Sequence, residues 1–338
     1  MTERADLIQQ VADAIADYRE GEIKKPDYQH VDTWISQFPT ASQAQILQEF
    51  VHVLGKAYMT KIETIKFLNL ASEHAVVVGK FPRAMWDTST LLDIQEGGNS
   101  QHELVALIKN IILNKFEIDV PVNKGDATRF FYIDDFIFSG NRVIQDVTKW
   151  VASAPDNCAL TILVMGWHAY GKYYAEKRIS EIVKDSKKNI KINWVRRFII
   201  EDRKSEIDNC DVLRPAMASS EKLVLDYIEA MTYKPVYRSP GKCGPFGIFS
   251  SEAGRNVLEQ EFLNTGILIK QKCPNLKKQH RPLGYSGLET LGFGSMIITY
   301  RNCPNNAPLA LWAGEPWYPL LPRSTNADAK MKRASEDW

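Results

Sequence analysis

Between Phe130 and Val151 the chain passes through a series of residue types that leaves few folds open to it. Phe130-Phe131-Tyr132-Ile133 is an unbroken apolar run, the mark of a strand covered on both faces. Asp134-Asp135 closes it. Phe136 to Asn141 reads as a loop, and Val143, Ile144, Val147, Trp150 and Val151 then recur at helical spacing. The pattern continues downstream. Ala159 to Met165 is a second buried strand ended by Gly166, Tyr173, Tyr174, Ile179, Ile182 and Val183 suit a helix, and Ile190 to Val195 suits a third strand. Strand, helix, strand, helix, strand predicts an α/β fold with a parallel sheet and crossover helices.

A parallel sheet binds its ligands beyond the carboxyl ends of its strands, which is where Asp134 and Asp135 stand. The loop after them brings Ser139 and Gly140 to the start of a helix, whose free N–H groups and dipole favour a phosphate. Gly140 allows close backbone approach, Ser139 offers a hydroxyl, and Arg142 brings a guanidinium that pairs well with phosphate. Two carboxylates one loop away suit ribose hydroxyls and Mg²⁺ held directly or through water. The same residues fit a Walker B strand, but the chain has no Gly-x-x-x-x-Gly-Lys-Ser/Thr partner for it, and no Gly-x-Gly-x-x-Gly. A plain strand end with two solvated acids is the bland alternative.

Upstream, Ala75 to Val78 and Thr88 to Ile94 are predicted strands. Gly97-Gly98-Asn99-Ser100-Gln101 then opens a helix carrying Leu104, Val105, Ile108, Ile111 and Ile112. This Gly-rich stretch reads equally as a pyrophosphate loop and as a capped helix start. Gly79 to Arg83 reads as a surface turn. Trp167, His168 and Tyr170 follow the next strand, where an acceptor base would stack; a core Trp and a surface His is the other reading.

Residues 1–70 are predicted helical, with Ile46, Leu47, Phe50, Val53, Leu54 and Ala57 on one face and Trp34, Ile35 and Phe38 as anchors on it. Residues 71–235 would form the α/β core. Residues 236–323 turn rich in Gly, Pro and aromatic residues, and 324–338 form a polar tail. Met1 to Glu20 lacks the apolar core of a secretion signal, and no apolar run approaches bilayer length. Five scattered cysteines without a Cys-x-x-Cys pair read as reduced thiols of a cytoplasmic protein. Cys243, Cys273 and Cys303 are spaced by thirty, but their flanking residues do not repeat.

The net charge is only +1, yet Lys177 to Lys204 holds ten Lys and Arg against four Asp and Glu, and Lys270 to Arg281 holds five basic residues and no acid. A solvated face is the default. A nucleic-acid or nucleoprotein contact centred on Lys187, Lys188 and Lys191 is the sharper reading.

The run Phe131-Tyr132-Ile133-Asp134-Asp135-Phe136-Ile137-Phe138-Ser139-Gly140-Asn141-Arg142 resembles the diphosphoribosyl-binding motif of type I phosphoribosyltransferases. It departs from that motif at Phe138, where the family has a small or hydroxyl residue, and near Arg142, where it has Thr or Ser. Gly284-Tyr285, Gly292-Phe293-Gly294, Tyr300 to Leu309, Trp312, Trp317-Tyr318-Pro319 and Arg323 add a second string, in which Asn302, Asn305 and Asn306 suit turn chemistry. The two together resemble bacterial phosphoribosyltransferase-like proteins with a C-terminal extension from anti-phage, including retron, systems. The resemblance implies a defence effector, but not its reaction. The leading expectation is an enzyme that binds phosphoribosyl pyrophosphate or a nucleotide with Mg²⁺ at Asp134 and Asp135, acts at ribose C1, and is held by a protein or nucleoprotein partner. A nucleotide-sensing module without turnover and a base-salvage enzyme are the alternatives.

Overall fold

A computed structural model of the chain describes residues 3–96, 100–217 and 219–323. The expected tail at 324–338 lies outside the described residues. Two compact units emerge, one built from residues 3–61 and 201–323, the other from Ile62–Ile200.

The second unit holds the sheet. Four strands, β1 (Ser89–Leu92), β2 (Arg129–Ile137), β3 (Asn157–His168) and β4 (Asn189–Ile200), pair in that order and all in parallel. Three helices follow the first three strands: α1 (Ser100–Phe116), α2 (Asn141–Ser153) and α3 (Ala169–Ser186). One face of the sheet packs Phe131, Ile133 and Leu163 on Leu104, Val105 and Ile108 of α1. The other packs Phe130, Tyr132, Leu160 and Ile162 on Val147 and Trp150 of α2 and on Ile179 of α3. This is the predicted α/β architecture, a parallel sheet covered by its crossover helices.

Three local readings change. Ala75–Val78 is a helical turn, not a strand. Only Val77 and Val78 are buried while Val76 is open to solvent, so four apolar residues here do not make a two-faced strand. The acids do not end β2, which runs two residues past them to Ile137, and β3 passes through Gly166 to His168. Gly166 is required because a Cβ there would stand 2.6 Å from the Phe136 ring and 2.7 Å from the Phe198 ring. Tyr173 and Tyr174 do not face the core; α3 buries Gly171, Ala175 and Ile179 instead.

The junction between α3 and β4 also corrects the basic face. The Lys188 ammonium donates to the carbonyls of Val151 (2.8 Å), Ala152 (3.1 Å) and Ala154 (2.6 Å), closing the last turn of α2. A cation at a helix C-terminus satisfies carbonyls that have no partner within the helix and complements the dipole. Lys188→Glu is therefore expected to cost about 2 kcal/mol in chemical denaturation, whereas Lys187→Glu and Lys191→Glu stay within about 0.5 kcal/mol of wild type. Equal effects of all three would refute the capping role.

In the first unit, the Thr40–Ala57 and Glu252–Lys272 helices form the frame, and the predicted anchors pack there, with Trp34 on Phe50 at 5.6 Å. The Trp34 and Trp317 indole N–H groups both donate to the Ala310 carbonyl, at 2.8 and 3.0 Å, which ties the aromatic C-terminal run to the helices. Gly284 is needed there because a Cβ would strike the Asn306 carbonyl at 2.1 Å. Ile298–Thr299 forms a short strand, paired in parallel with Tyr58–Met59. All five cysteines are free thiols. No helix among the described residues is long and apolar enough to cross a membrane.

Candidate functional site

Parallel strands in chain order do not by themselves define a crevice; a reversal of direction does. Leu91 of β1 bridges on its outer side to Val122, with the Leu91 N–H on Pro121 O and the Asn123 N–H on Leu91 O, each at 2.9 Å. The spatial order is thus the Val122 segment, β1, β2, β3, β4. From β1 the chain goes outward through α1 to Val122, then crosses back to β2 on the inner side and continues the other way. This explains why α1 covers one face and α2 and α3 the other. Helices diverge at such a switch point and leave a crevice beyond the strand ends, here those of β1 and β2. Leu92 pairs with Tyr132, so Asp93 and Asp134 stand just beyond the same rung.

A chain of polar side chains fills this point. The Ser100 hydroxyl donates to Gln95 Oε1 (3.1 Å), and Gln95 Nε2 donates to Asp134 Oδ2 (3.3 Å). The Tyr132 hydroxyl lies 2.9 Å from Asp146 Oδ2, on α2, and 3.4 Å from Asp134 Oδ2. Asp134 also accepts from the Asp135 N–H at 2.9 Å, and Asp135 from the Phe136 N–H at 2.7 Å. Gln101 is wholly buried and accepts from the Ile94 and Gln95 N–H groups at 2.7 and 2.9 Å, which shapes the turn after β1. Gly97, Gly98 and Asn99 lie outside the described residues.

The electrostatics follow from burial. Asp134 is pushed well above the usual carboxylate range, first by desolvation and then by the Asp135 charge beside it. Asp146 is raised to about 6 by desolvation, although the Tyr132 hydrogen bond and the Arg142 charge pull the other way. A buried acid that resists ionising is one that a bound cation would stabilise.

The loop between β2 and α2 is held by two facing glycines. Gly140 precedes α2 in the left-handed region (φ +80°), and its missing Cβ would stand 2.4 Å from the Gly171 carbonyl on α3. Gly171 in turn has no room for a Cβ, which would fall 1.9 Å from the Phe138 carbonyl. The room Gly140 makes is therefore for α3, which sets the loop's height above the sheet. No side chain caps the first turn of α2 and no acid lies in it, so the amides after Gly140 face an anion without competition from the chain's own carboxylates. Ser139 and Arg142 are half-buried beside that turn, Asn141 is exposed, and Arg142 lends its charge to Asp146 and Tyr132.

Residues 31–323 match the family model PRTase-CE. The chain belongs to the PRTase-CE family. Its core is accordingly phosphoribosyltransferase-like, as the motif around Asp134 predicted. No curated protein matches the chain. Two solved structures are similar to it over less than half its length. One is a hypothetical protein from Neisseria gonorrhoeae with bound ppGpp, 10% identical, covering 44% of this chain and 85% of its own, at a TM-score of 0.25. The other is the purine phosphoribosyltransferase from Pyrococcus horikoshii Ot3, 13% identical, covering 43% of this chain and 91% of its own, at a TM-score of 0.23.

Within this PRTase-CE chain the expected acceptor residues separate. Trp167 turns to the face packed on α2 and α3, with Lys172 and Arg196 over its ring at 5.7 and 5.4 Å. His168 lies fully buried against the rings of Phe136 (5.3 Å) and Phe138 (5.4 Å). Tyr170 is exposed and stacks on Tyr174. Four residues the sequence reading passed over join the switch point: Asp93, Gln95, His102 and Asp146. Asp93 holds His102 Nδ1 by a short hydrogen bond and is itself locked through its main chain by the Asn123 amide. Asp93 lay inside the strand predicted at Thr88 to Ile94, which in the structure stops at Leu92 and leaves the acid just beyond its end.

Proposed function

We propose that the switch point binds phosphoribosyl pyrophosphate or a nucleotide, and that the chain makes or breaks the bond at ribose C1. The observation that carries this reading is the meeting of Asp134 and Asp135 with an uncapped helix start at the reversal of strand order. The amides after Gly140, with Ser139 and Arg142, receive the 5-phosphate. Asp134 and Asp135 accept from ribose hydroxyls. Among the described residues no cluster of three His, Cys, Asp or Glu is placed to hold a metal. Two carboxylates with the Gln95 amide make an oxygen-rich set that fits Mg²⁺ carried in by the ligand's phosphates. Bound there, Mg²⁺ would neutralise charge on the leaving group.

As the C1 bond breaks, its electron pair leaves with the pyrophosphate or base. The positive charge left on C1 and the ring oxygen is stabilised by the nearby carboxylates, so positioning and electrostatics suffice without a nucleophilic side chain. The acceptor or water that adds at C1 gives up a proton, for which His102, oriented by Asp93, is the exposed base beside β1. A second reading, a nucleotide sensor without turnover, is favoured by Phe138: its ring packs on Phe136 and His168 where relatives of the motif carry a small residue. The resemblance to conflict-system proteins adds a finer proposal, an anti-phage effector restrained by a protein or nucleoprotein partner. Incubation with phosphoribosyl pyrophosphate and a nucleotide panel, read by mass spectrometry, distinguishes these. Released base, pyrophosphate or a new nucleoside supports catalysis; intact ligands that still bind support the sensor; no binding at all refutes both.

A further inference from the structure

In the first unit, buried arginines are normally completed by the chain itself. Arg238 meets both oxygens of Glu252 (2.9 Å each), Glu259 (2.9 Å) and the Asn256 amide oxygen (2.9 Å). Arg255 meets Glu259 (2.8 Å) and the carbonyls of Cys210 (3.0 Å), Val212 (2.8 Å) and Lys242 (3.1 Å). A guanidinium carries five donors, and taking it out of water without partners is strongly unfavourable, so this completeness is what a structural role demands.

Arg281 breaks the pattern. It is only 7% exposed, and its buried Nε has no hydrogen-bond partner among the described residues. No carboxylate of the described residues pairs with it; Glu289 is near enough to feel its charge but spends one oxygen on the Tyr233 N–H at 3.2 Å. The buried Tyr227 hydroxyl lies against the same guanidinium, close enough for the two to interact, and has no other hydrogen-bond partner among the described residues. Lys270, half-buried, adds a second positive charge: it donates to the carbonyls of Lys277, Lys278 and His280 and is close enough for Arg281 to repel its proton. The framework is firm. Arg281 belongs to the His280–Arg281 strand, and the next residue, Pro282, sits so tightly on Gly266 of the long helix that a Cβ there would come within 2.6 Å of its carbonyl.

We propose that Arg281 and Tyr227, within the field of Lys270, form a binding site for a phosphate-class oxyanion. The fork of Arg281 suits two oxygens and the phenol a third, which matches a tetrahedral oxyanion better than a planar carboxylate. Tyr227, Lys270 and Arg281 all belong to the first unit, and the site stands independently of the switch point.

The test is thermal denaturation of the full chain with inorganic phosphate, at constant ionic strength set by chloride, with acetate and citrate as parallel arms. The wild type is expected to gain several degrees with phosphate and much less with acetate. Arg281→Met is expected to be at least as stable as wild type without phosphate, because a buried charge without a carboxylate partner is gone, and to lose most of the phosphate-dependent gain. Tyr227→Phe should bind phosphate about tenfold more weakly. Gly140→Ala, which perturbs only the loop beside the sheet, should keep the Arg281-dependent part of the gain. An undiminished phosphate gain in Arg281→Met overturns the proposal. So does a gain from acetate or citrate with none from phosphate. If Arg281→Met fails to fold, Arg281→Lys keeps the charge but not the fork, and a full phosphate response in both Arg281→Lys and Tyr227→Phe overturns the proposal equally.

Discussion

Asp134→Asn is expected to stabilise the ligand-free protein and to abolish its ligand binding. The folded chain holds the Asp134 proton well above the usual carboxylate range because the group is buried next to Asp135. The unfolded chain releases it near the ordinary value. With the folded value raised, the stability this group contributes is fully present below the unfolded value, at about pH 4, and is lost as pH rises toward neutrality. Asp146, raised to about 6, loses its share in the same direction. A neutral amide at 134 removes the larger part of that loss. Urea denaturation should therefore show Asp134→Asn more stable than wild type by about 1–2 kcal/mol or more near pH 8, with the difference narrowing as pH falls and closing near about pH 4. Binding runs the other way. Removing the charge that answers the ribose hydroxyls and the cation should weaken phosphoribosyl pyrophosphate by about 100-fold or more, and Asp135→Asn in the same chain should complete the loss. A destabilised Asp134→Asn that still binds would mean the acid is a structural strut.

Gly140→Val is expected to be the most damaging single change in the loop, with Gly171→Ala next. Valine at Gly140 must adopt a positive φ that β-branched residues avoid, and its Cβ meets the Gly171 carbonyl, which is backbone and has no rotamer to escape into. Alanine at Gly171 keeps an ordinary helical φ but drives its methyl into the Phe138 carbonyl. Relief in both cases comes from lifting residues 138–140 away from α3, which moves the first amides of α2 away from the phosphate. Costs of about 3 kcal/mol and about 2 kcal/mol respectively are expected in denaturation. Phosphate-bearing ligands should lose at least about tenfold in affinity in both, because a displacement near an ångström is enough to break such contacts. Full ligand affinity in Gly140→Val would detach the loop from the site.

Much of the second unit was legible because buried parallel strands have to be apolar throughout. Phe130 to Ile133 and Ala159 to Met165 announce themselves, and the helix starting at Asn141 shows its face in Val143, Val147 and Trp150. Strand ends were not legible. Asp134 and Gly166 look like terminators by residue type, yet β2 and β3 continue through them because each is accommodated by a neighbour: the Gln95 amide and the Asp135 N–H for the acid, the Phe136 and Phe198 rings for the glycine. The Ala75 to Val78 run misled for the opposite reason, since local apolarity says nothing about whether a second sheet face exists to cover it.

At the candidate site, residues contiguous in sequence could be read together as one motif, and residues joined only through space could not. Asp134 to Arg142 form one motif. Gln95 and Asp146 reach it from another strand end and from the helix, and Asp93 and His102 stand nine positions apart with no periodic signal. Gly171 was invisible as a partner of Gly140, because a glycine chosen for interhelical room leaves no mark that distinguishes it from any other. The basic stretch misled in a subtler way: Lys188 contributes to the local charge, but its three hydrogen bonds go to the end of α2.

The most direct test is calorimetric titration of the protein with phosphoribosyl pyrophosphate in the presence of Mg²⁺, near pH 7, in two buffers of different ionisation enthalpy. The account predicts saturable binding with heats that differ between the buffers, because Mg²⁺ brought to the switch point by the ligand's phosphates favours the ionised carboxylate and displaces the proton held by Asp134. Both the binding and the proton release should vanish in the Asp134→Asn, Asp135→Asn chain. Binding that is unchanged in that chain, or no binding by the wild type to phosphoribosyl pyrophosphate or any nucleotide, would contradict it.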